Sequence, residues 1–183
     1  MNESLFVLIN SCAGKMSSLD LLGVLTSQYM PYIFIVVEIY IFFGLKRKNE
    51  AIFAFYAMLV GLFINQIIGL FYFHNRPFMD EVGTSLIHHA SENSFPSDHT
   101  TFMMSIAIAI FMQKETKNLG KLLLLFAFFG GIARVFVGVH YPFDIIGSIF
   151  TATTGAFIVI NLNKKLQKVN DIILKIDKQI FGK

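Results

Sequence analysis

The chain has 183 residues, 55% of them hydrophobic, with 21 Phe, no Trp and a mean hydropathy of +0.62. An average soluble domain is only roughly 45–50% apolar, so the composition indicates a membrane protein and argues against an ordinary soluble domain. The net charge of +3 comes with no basic patch interleaved with aromatic residues, and it gives no support to a nucleic-acid partner.

The N-terminal segment carries Glu3 and lacks the basic region and the cleavage site of a signal peptide. Its residues Leu5, Leu8, Ile9 and Cys12 share one helical face, which predicts a short helix along the membrane surface. Cys12 is the single cysteine and cannot form an internal disulfide. No linker or repeat divides the chain, so residues 1–183 are predicted to form one membrane-embedded domain.

Five apolar segments approach or exceed the length needed to cross a hydrocarbon core of roughly 30 Å. They run from about Leu21 to Leu45, Ala51 to Phe73, Thr100 to Met112, Leu119 to Gly138 and Ile145 to Leu162. The third reaches crossing length only if Ser97, Asp98 and His99 form its first turn. Beyond the fifth, apolar residues recur every three or four positions among lysines, at Leu166, Val169, Ile173, Ile176 and Ile180.

The last of these patterns predicts a second interfacial helix. The predicted fold is therefore an all-α, polytopic membrane helix bundle, with five transmembrane helices and short interfacial helices at both ends.

Basic residues are unevenly divided between the two predicted membrane faces. Twelve of the 15 follow the first, third or fifth span: Lys46, Arg47, Lys48, Lys114, Lys117, Lys121, Lys164, Lys165, Lys168, Lys175, Lys178 and Lys183. Loops rich in Lys and Arg stay on the cytoplasmic side, so this face is predicted to be cytoplasmic. The opposite, outer face holds all five histidines, together with Arg76, Arg134, Asp98 and Asp144.

Three short stretches, FHNRPF, SFPSDHT and ARVFVGVHYPFD, carry the unusual polar residues and are predicted to emerge at this outer face. Arg76 and Arg134 lie at or just inside the predicted bilayer edge, where a charge is costly without a partner or a function. A guanidinium group can grip phosphate oxygens through two hydrogen bonds. Snorkelling of either side chain to lipid headgroups is the alternative.

The third span begins with Ser97 and Asp98, which can cap free backbone N–H groups. Such a helix start also attracts anions through those groups and the helix dipole. Capping alone is the alternative, but it leaves His99 unexplained.

In the stretch HYPFD, Pro142 is well placed as the first residue of the fifth span, so that Asp144 falls in its first turn. The carboxylate can reach back to His140, fix the tautomer of its ring and leave the other ring nitrogen free as a nucleophile. With His99 as a proton donor and two arginines as clamps, the set is sufficient for phosphoryl transfer without a metal or another cofactor.

At these residues the chain resembles the type 2 phosphatidic acid phosphatase superfamily, whose signature blocks are K-x6-R-P, P-S-G-H and S-R-x5-H-x3-D. The stretches GLFYFHNRP, PSDH and ARVFVGVHYPFD correspond to them, and Arg134, His140 and Asp144 keep the last spacing in full. Within the superfamily, SFPSDHTT and GVHYPFDIIGS are most similar to bacterial undecaprenyl-pyrophosphate phosphatases associated with bacitracin resistance.

The resemblance implies hydrolysis of a polyprenyl diphosphate to its monophosphate at the outer face of the bacterial cytoplasmic membrane, through a phosphohistidine on His140. His99 protonates the leaving group, Asp144 orients His140, and Arg76, Ser97, Asp98 and Arg134 lie at the phosphate. Three positions depart from the signature: Gly69 replaces Lys, Ala133 replaces Ser, and Asp98 replaces Gly. An Asp98 carboxylate repels phosphate unless it is protonated or pairs with Arg76 or a loop histidine.

Several alternatives stay open at this level. His89 lies in the loop between the first two blocks, where it can contact the diphosphate or face solvent. Glu38 is a buried acid, most plainly paired with Asn65 or Gln66 across a helix pair, with a lipid or proton role as the alternative.

The enzyme could instead act on another lipid phosphate, such as phosphatidylglycerol phosphate or phosphatidic acid. A haem-binding electron carrier using His99 and His140, and a transporter, are more remote possibilities.

Overall fold

The computed structural model describes residues 1–181 and is helical throughout its regular elements; Lys183 lies outside the described residues. The α-helices are α1 (Asn2–Asn10), α2 (Ser17–Ile39), α3 (Lys48–Phe71), α4 (Asp98–Phe111), α5 (Lys117–Phe136), α6 (Pro142–Asn161) and α7 (Asn163–Phe181). A π-helical turn, Tyr40–Gly44, extends α2, and a 3₁₀ turn, Lys114–Thr116, leads into α5.

Four helical segments in the described part are long and apolar enough to cross a membrane: Ser17–Gly44, Lys48–Phe71, Lys114–Phe136 and Pro142–Asn161. The fifth predicted span, α4, is apolar but has only 14 residues. The all-helical membrane bundle is thus confirmed, with helix ends a few residues from those predicted. The count of five crossings is not confirmed.

The shortest of these helices, α4, is the central one, because it packs against α3, α5 and α6 and also touches α2. Nine of its 14 residues are buried. Met103, Ile106 and Ile110 form the core with Phe34 of α2 and Ala57 of α3. Since α4 is surrounded by other helices, its first turn can carry polar residues without placing them in lipid.

The backbones of helices α3 and α6 are in close contact. A Cβ atom placed on Gly155 would lie 2.8 Å from the carbonyl oxygen of Ala57 and 2.8 Å from the amide nitrogen of Gly61. Small residues at such a crossing allow close packing between membrane helices. The two helices run antiparallel, so the N-terminal end of α6, which carries Asp144, lies near the C-terminal end of α3.

The two ends of the bundle differ in their polar residues. We call the end formed by the loops 72–97 and 137–141 the site end. The opposite end is formed by Lys46–Lys48, the Lys114–Thr116 turn and α7, and we call it the lysine end. Glu38 lies toward the lysine end of α2, whereas Asn65 lies toward the site end of the antiparallel α3. Asn65 donates instead to Asp98 and Thr101, and Gln66 also lies at the site end, so the predicted pairing of Glu38 with Asn65 or Gln66 is wrong.

Helix α1 packs at the site end through Phe6 and Asn10, both buried. The Asn10 side-chain amide donates to the carbonyl oxygens of Thr84 and Phe136, each at 2.8 Å, and its oxygen accepts from the Thr84 amide at 2.7 Å. On the predicted apolar face, Leu5, Leu8 and Cys12 are exposed, and an interfacial helix needs such a face toward lipid. Asn10 and the buried ring of Phe6 together hold α1 on the protein.

Helix α7 packs at the lysine end through polar contacts. The Lys48 ammonium pairs with Asp177, and the amides of Gln167 and Asn170 donate to Asn49. Its outward side exposes an apolar stripe at helical spacing, formed by Val169, Ile172, Ile176 and Ile180. This arrangement suits the predicted interfacial helix, which needs an apolar stripe toward lipid.

Candidate active site

The loop between α3 and α4 is held in shape by Asn93. The Asn93 side-chain oxygen accepts from the His74 amide at 2.8 Å, and its amide group donates to the carbonyl oxygen of Phe95 at 2.8 Å. The Ser94 amide also donates to the His74 carbonyl oxygen at 2.8 Å. These bonds bring His74, Arg76 and Ser94 together over the N-terminal ends of α4 and α6.

Helix α6 begins at Pro142, as predicted, and Asp144 caps its first turn by accepting from the Tyr141 amide at 2.7 Å. The Asp144 side chain has 0% exposure and that of His140 has 2%. The His140 Nδ1 atom lies 3.4 Å from Asp144 Oδ2. A carboxylate and an imidazole are thus paired away from solvent at the helix start.

Ser94 connects these two side chains. Its hydroxyl donates to Asp144 Oδ2 at 2.5 Å and lies 3.2 Å from His140 Nδ1. Since the Ser94 proton is directed to the carboxylate, the Ser94 oxygen accepts from the N–H at His140 Nδ1. The sequence analysis assigned no role to Ser94, although it lies within the stretch NSFPSDHT.

Arg76 determines the tautomer at the other ring nitrogen. Arg76 Nη1 lies 3.1 Å from His140 Nε2, and a guanidinium group can only donate. Nε2 therefore carries the lone pair and Nδ1 the proton, which is the tautomer that the predicted nucleophilic role of the ring requires. Arg76 also donates to the carbonyl oxygens of Val139 and Asn93 and to Glu92 Oε1.

The charge states follow from burial. Burial is the main cause of the low pKa of His140, which is about 3. The hydrogen bond to Asp144 opposes this shift. The imidazole is thus neutral at physiological pH. Burial likewise lowers the pKa of Arg76, while Glu92 and Asp144 oppose the shift. The pKa of His89 is lowered by burial and by the charge of Arg76.

Arg134 is buried to 2% exposure near the C-terminal end of α5. Its Nη1 atom donates to the Ser27 hydroxyl at 3.2 Å, while Nε and Nη2 have no hydrogen-bond partner within the described residues. Buried donors normally find partners, and an unpaired buried charge is costly. Two free N–H groups of a buried guanidinium are what an incoming phosphate group requires.

The start of α4 agrees with the expected capping. Ser97 is the N-cap, and its hydroxyl oxygen accepts from the Thr100 amide at 3.4 Å. Asp98 is exposed and accepts from the Asn65 side-chain amide at 2.8 Å. Neither Arg76 nor a loop histidine makes a hydrogen bond or ion pair with Asp98 among the described residues, so Asn65 is the partner that the sequence analysis missed.

The two remaining histidines predicted at the site flank Arg76 and Arg134. His99 is half-buried, lies within electrostatic range of both arginines, and makes no hydrogen bond within residues 1–181. His89 is also half-buried, and its Nδ1 lies 3.3 Å from the Ala90 carbonyl oxygen and 3.6 Å from Glu92 Oε1. No group of three or more His, Cys, Asp or Glu side chains in the described chain is arranged to hold a metal ion.

Arg76, Glu92, Asn93 and Asp98 line a cavity of about 300 Å³ beside the paired His140 and Asp144. Gly69, which replaces the signature lysine, lies on its wall, and a Cβ atom there would be 3.3 Å from the Asn93 amide nitrogen. Asn93, the residue that holds the loop, thus occupies the space next to the missing lysine side chain.

Two buried guanidinium groups around an unprotonated imidazole suit the transfer of a phosphoryl group. Their position at one end of a bundle of membrane-spanning helices points to a membrane phosphatase. Comparison with known proteins agrees: the model of the PAP2 superfamily matches residues 50–168. The chain belongs to the PAP2 superfamily.

Individual relatives match nearly the whole chain. It is 32% identical to undecaprenyl-diphosphatase BcrC of Bacillus subtilis (strain 168) over 185 residues, which cover 100% of this chain and 95% of that protein. It is 30% identical to the bacitracin transport permease protein BcrC of Bacillus licheniformis over 182 residues, covering 97% and 88% of the two chains.

A solved structure shares the fold. The crystal structure of Aquifex aeolicus LpxE superimposes with a TM-score of 0.74 at 24% identity, covering 86% of this chain and 93% of that chain. The likeness shows a common helical architecture.

Proposed function

We propose that this protein hydrolyses undecaprenyl pyrophosphate to undecaprenyl phosphate and inorganic phosphate, through a phosphohistidine on His140 and without a metal ion. The observation that carries the mechanism is the pair of hydrogen bonds on the His140 ring. Arg76 binds the Nε2 lone pair, and Ser94 with Asp144 holds the Nδ1 proton. The names of the relatives support the choice of substrate.

The first step forms the phosphohistidine. Arg76 stops donating its N–H to Nε2 and donates it to an oxygen of the terminal phosphate, so that the Nε2 lone pair is free to attack the phosphorus atom. The unpaired N–H groups of Arg134 bind the equatorial oxygens as charge moves onto them. The P–O bond to the bridging oxygen breaks, and undecaprenyl phosphate leaves with a proton from the His99 imidazolium, which the negative charge of the bound diphosphate favours.

The second step releases phosphate. A water molecule, deprotonated by His99, attacks the same phosphorus atom, and the N–P bond breaks with its electrons returning to Nε2. Asp144 stabilises the positive charge that the ring carries between the two steps, because its carboxylate lies 3.4 Å from Nδ1. The arginines supply the positive charge that a metal ion supplies in other phosphoryl-transfer enzymes.

For the membrane arrangement, we propose that α4 is a fifth crossing helix and that the site end faces outside the cytoplasmic membrane. The lysine end carries Lys46, Arg47 and Lys48, which the positive-inside rule keeps in the cytoplasm. The short α4 needs little lipid contact, because it lies at the centre of the bundle. We also infer that α1 to α7 form one domain.

The substrate is tested by comparing phosphate release from undecaprenyl pyrophosphate and from phosphatidylglycerol phosphate, using the purified full-length enzyme in detergent with EDTA. We expect the higher kcat/KM with the prenyl diphosphate and no loss in the chelator. A preference for the phospholipid would overturn the substrate, and inactivation by EDTA that is reversed by a divalent metal would overturn the metal-free mechanism.

A transport function is less well supported. The Bacillus licheniformis relative is named a transport permease, but a transporter is expected to carry its ionisable groups near the middle of the membrane. Here His140, Asp144, Arg76 and Arg134 gather at one end of the bundle. The polar residues of the site therefore favour hydrolysis.

A further inference from the structure

A second concave site lies at the lysine end, far from His140. A cavity of about 520 Å³ is lined by Lys46, Arg47, Lys48 and Lys178, with two carboxylates, Glu50 and Asp177. Asp177 pairs with Lys48, and Glu50 pairs with Arg47. Lys46 and Lys178 have no ion pair among the described residues, so the cavity holds a surplus of positive charge.

The backbone conformation of Lys46 is unusual for a residue other than glycine. Its φ angle of 56° lies in the left-handed region, which favours glycine. A lysine there places an exposed ammonium group beside the cavity at some cost in backbone strain.

An apolar groove adjoins the cavity. Its volume is about 620 Å³, and its walls include Ile39 and Phe43 of the α2 segment, Ile52 of α3 and Ile173 of α7. Glu50 lines the cavity and the next residue, Ala51, lines the groove. In α7, Leu174 lines the cavity and its neighbour Ile173 lines the groove. A positively charged cavity at the lysine end therefore lies next to an apolar groove between membrane helices.

From these observations we propose that the lysine end holds a bound anionic glycerophospholipid. Its phosphate lies in the cavity with Lys46 and Lys178, and its acyl chains fill the groove. The site is separate from the catalytic one and does not depend on which lipid the enzyme hydrolyses.

The test uses native mass spectrometry of the full-length protein, delipidated in detergent and titrated with phosphatidylglycerol or phosphatidylcholine. The double variant Lys46→Glu, Lys178→Glu is compared with Lys164→Glu, Lys165→Glu, which makes the same charge change on exposed residues outside the cavity. We expect the first pair to weaken phosphatidylglycerol binding about tenfold or more, and the second pair by less than about threefold.

The groove is tested separately. Ile39→Trp fills it, whereas Ile33→Trp alters another exposed position of α2 outside it. We expect only Ile39→Trp to weaken binding, with phosphatase activity in detergent reporting that both variants are folded. Equal binding of the two lipids by the wild type, or equal loss in both members of either variant pair, would overturn the proposal.

A different observation, at the site end, carries a second inference. His74 Nδ1 lies 3.1 Å from Asp144 Oδ1, the carboxylate oxygen that His140 and Ser94 leave free. The His74 ring stacks on Tyr72 at a centroid distance of 6.2 Å and lies 5.2 Å from the ring of Tyr141. The ring is thus fixed between two aromatic side chains while its N–H meets the carboxylate.

This second inference rests on the proposed function: the geometry points to His74 as a positioning residue that acts through Asp144. With His74 on one carboxylate oxygen, and Ser94 and the Tyr141 amide on the other, the carboxylate cannot rotate away from His140. Removing the donor should lower the rate of phosphoryl transfer without weakening substrate binding.

Two substitutions distinguish the hydrogen bond that His74 donates to Asp144 from the packing of its ring between the two tyrosines. His74→Phe keeps an aromatic ring between the tyrosines but loses the N–H, whereas His74→Asn keeps an amide N–H near the Nδ1 position. We expect His74→Phe to lower kcat about 10- to 100-fold with an almost unchanged KM, and to move the acid limb of the pH–rate profile to higher pH. His74→Asn should recover most of the rate.

The opposite order, with His74→Phe active and His74→Asn impaired, would show that packing alone matters and would overturn this inference. His140→Ala is measured in the same assay. If His140→Ala is active, the proposed mechanism itself fails. If it is inactive while both His74 variants match the wild type, only the role of His74 fails.

Discussion

The two ends of the bundle use arginine in opposite ways. At the site end, Arg134 has 2% exposure, one hydrogen bond to Ser27 and two unpaired nitrogens. At the lysine end, the Arg47 side chain has 43% exposure and pairs with Glu115 at 3.1 Å and Glu50 at 3.7 Å. A paired, exposed charge contributes little to folding, whereas a buried charge without an ionic partner destabilises the folded state unless a ligand pairs with it. For these two arginines, pairing and exposure rather than residue type distinguish the predicted ligand-binding side chain from the one at the surface.

The strongest test of the site end is His140→Ala. We expect the rate of phosphate release to fall roughly 10⁴-fold or more, because no other side chain can form the proposed covalent intermediate. His88→Ala is the matched control, since His88 is exposed and has no role in the mechanism. Activity in His140→Ala near that of the control would rule out the phosphohistidine.

Arg134→Gln is expected to have the next largest effect. Loss of the buried guanidinium removes the N–H groups that bind the equatorial oxygens, so kcat/KM should fall about 10²- to 10³-fold. The folded state should be no less stable, because the substitution removes a buried charge that lacks an ionic partner. The measurements are steady-state kinetics and thermal unfolding in detergent. A stability loss with normal kinetics would make Arg134 structural and would end the contrast with Arg47.

Ser94→Ala sharpens the comparison within the site. Asp144 loses a 2.5 Å hydrogen bond and His140 Nδ1 loses an acceptor, so we expect kcat to fall about 10- to 100-fold. Ser91→Ala provides the control, because it alters an exposed serine of the same loop. Should the two serine variants have equal rates, the hydroxyl of Ser94 does not support the nucleophile.

The pH dependence of stability tests whether His140 is buried in its neutral form. Its pKa of about 3 in the folded protein lies below the unfolded value near 6.5, so the unfolded chain binds the extra proton as pH falls. Between these two pH values, the contribution of His140 should lower the free energy of unfolding by about 1.4 kcal/mol for each unit by which the pH falls. Thermal unfolding at pH 7 and pH 5 should show a smaller decrease for His140→Gln than for the wild type. An identical decrease would mean that the ring is not held neutral.

At the lysine end the smallest effect is expected. Arg47→Gln removes the ion pairs of an exposed side chain with Glu115 and Glu50, so the free energy of unfolding should change by less than about 1 kcal/mol. Phosphatase activity should remain at the wild-type level. Thermal unfolding and phosphate release are the two measurements. A large loss in either would show that the ends of the bundle are coupled, and that exposure is a poor guide to the role of an arginine here.

Much of the fold follows from local patterns in the chain. Apolar length predicts the helices, and proline at position 142 predicts the start of α6 to the residue. The spacing of Arg134, His140 and Asp144 indicates a shared site because a helix start and the preceding turn are near each other in sequence. The roles of the predicted site residues remain predictions, since geometry alone does not test them.

The contacts that could not be predicted join residues far apart in the chain. Ser27 meets Arg134, and Asn65 meets Asp98, only after helices have packed. His74 and Ser94 reach Asp144 through a long irregular loop, for which helical periodicity gives no information. The mistaken partner of Glu38 has the same origin, because a polar residue in an apolar segment does not reveal its depth along the helix.

The short length of α4 has a consequence for how a lipid is processed. With 14 residues and a rise of about 1.5 Å per residue, the helix is about 21 Å long, some 9 Å less than the hydrocarbon thickness. In the proposed membrane arrangement, the turn at Lys114–Thr116 lies at the cytoplasmic surface next to the end of α4, so the deficit would fall at the site end and form a polar notch within one leaflet. A headgroup can then descend into the notch while its chain stays dissolved in the bilayer. The enzyme thereby avoids the work of extracting an apolar tail, which is about 0.8 kcal/mol for every methylene exposed to water.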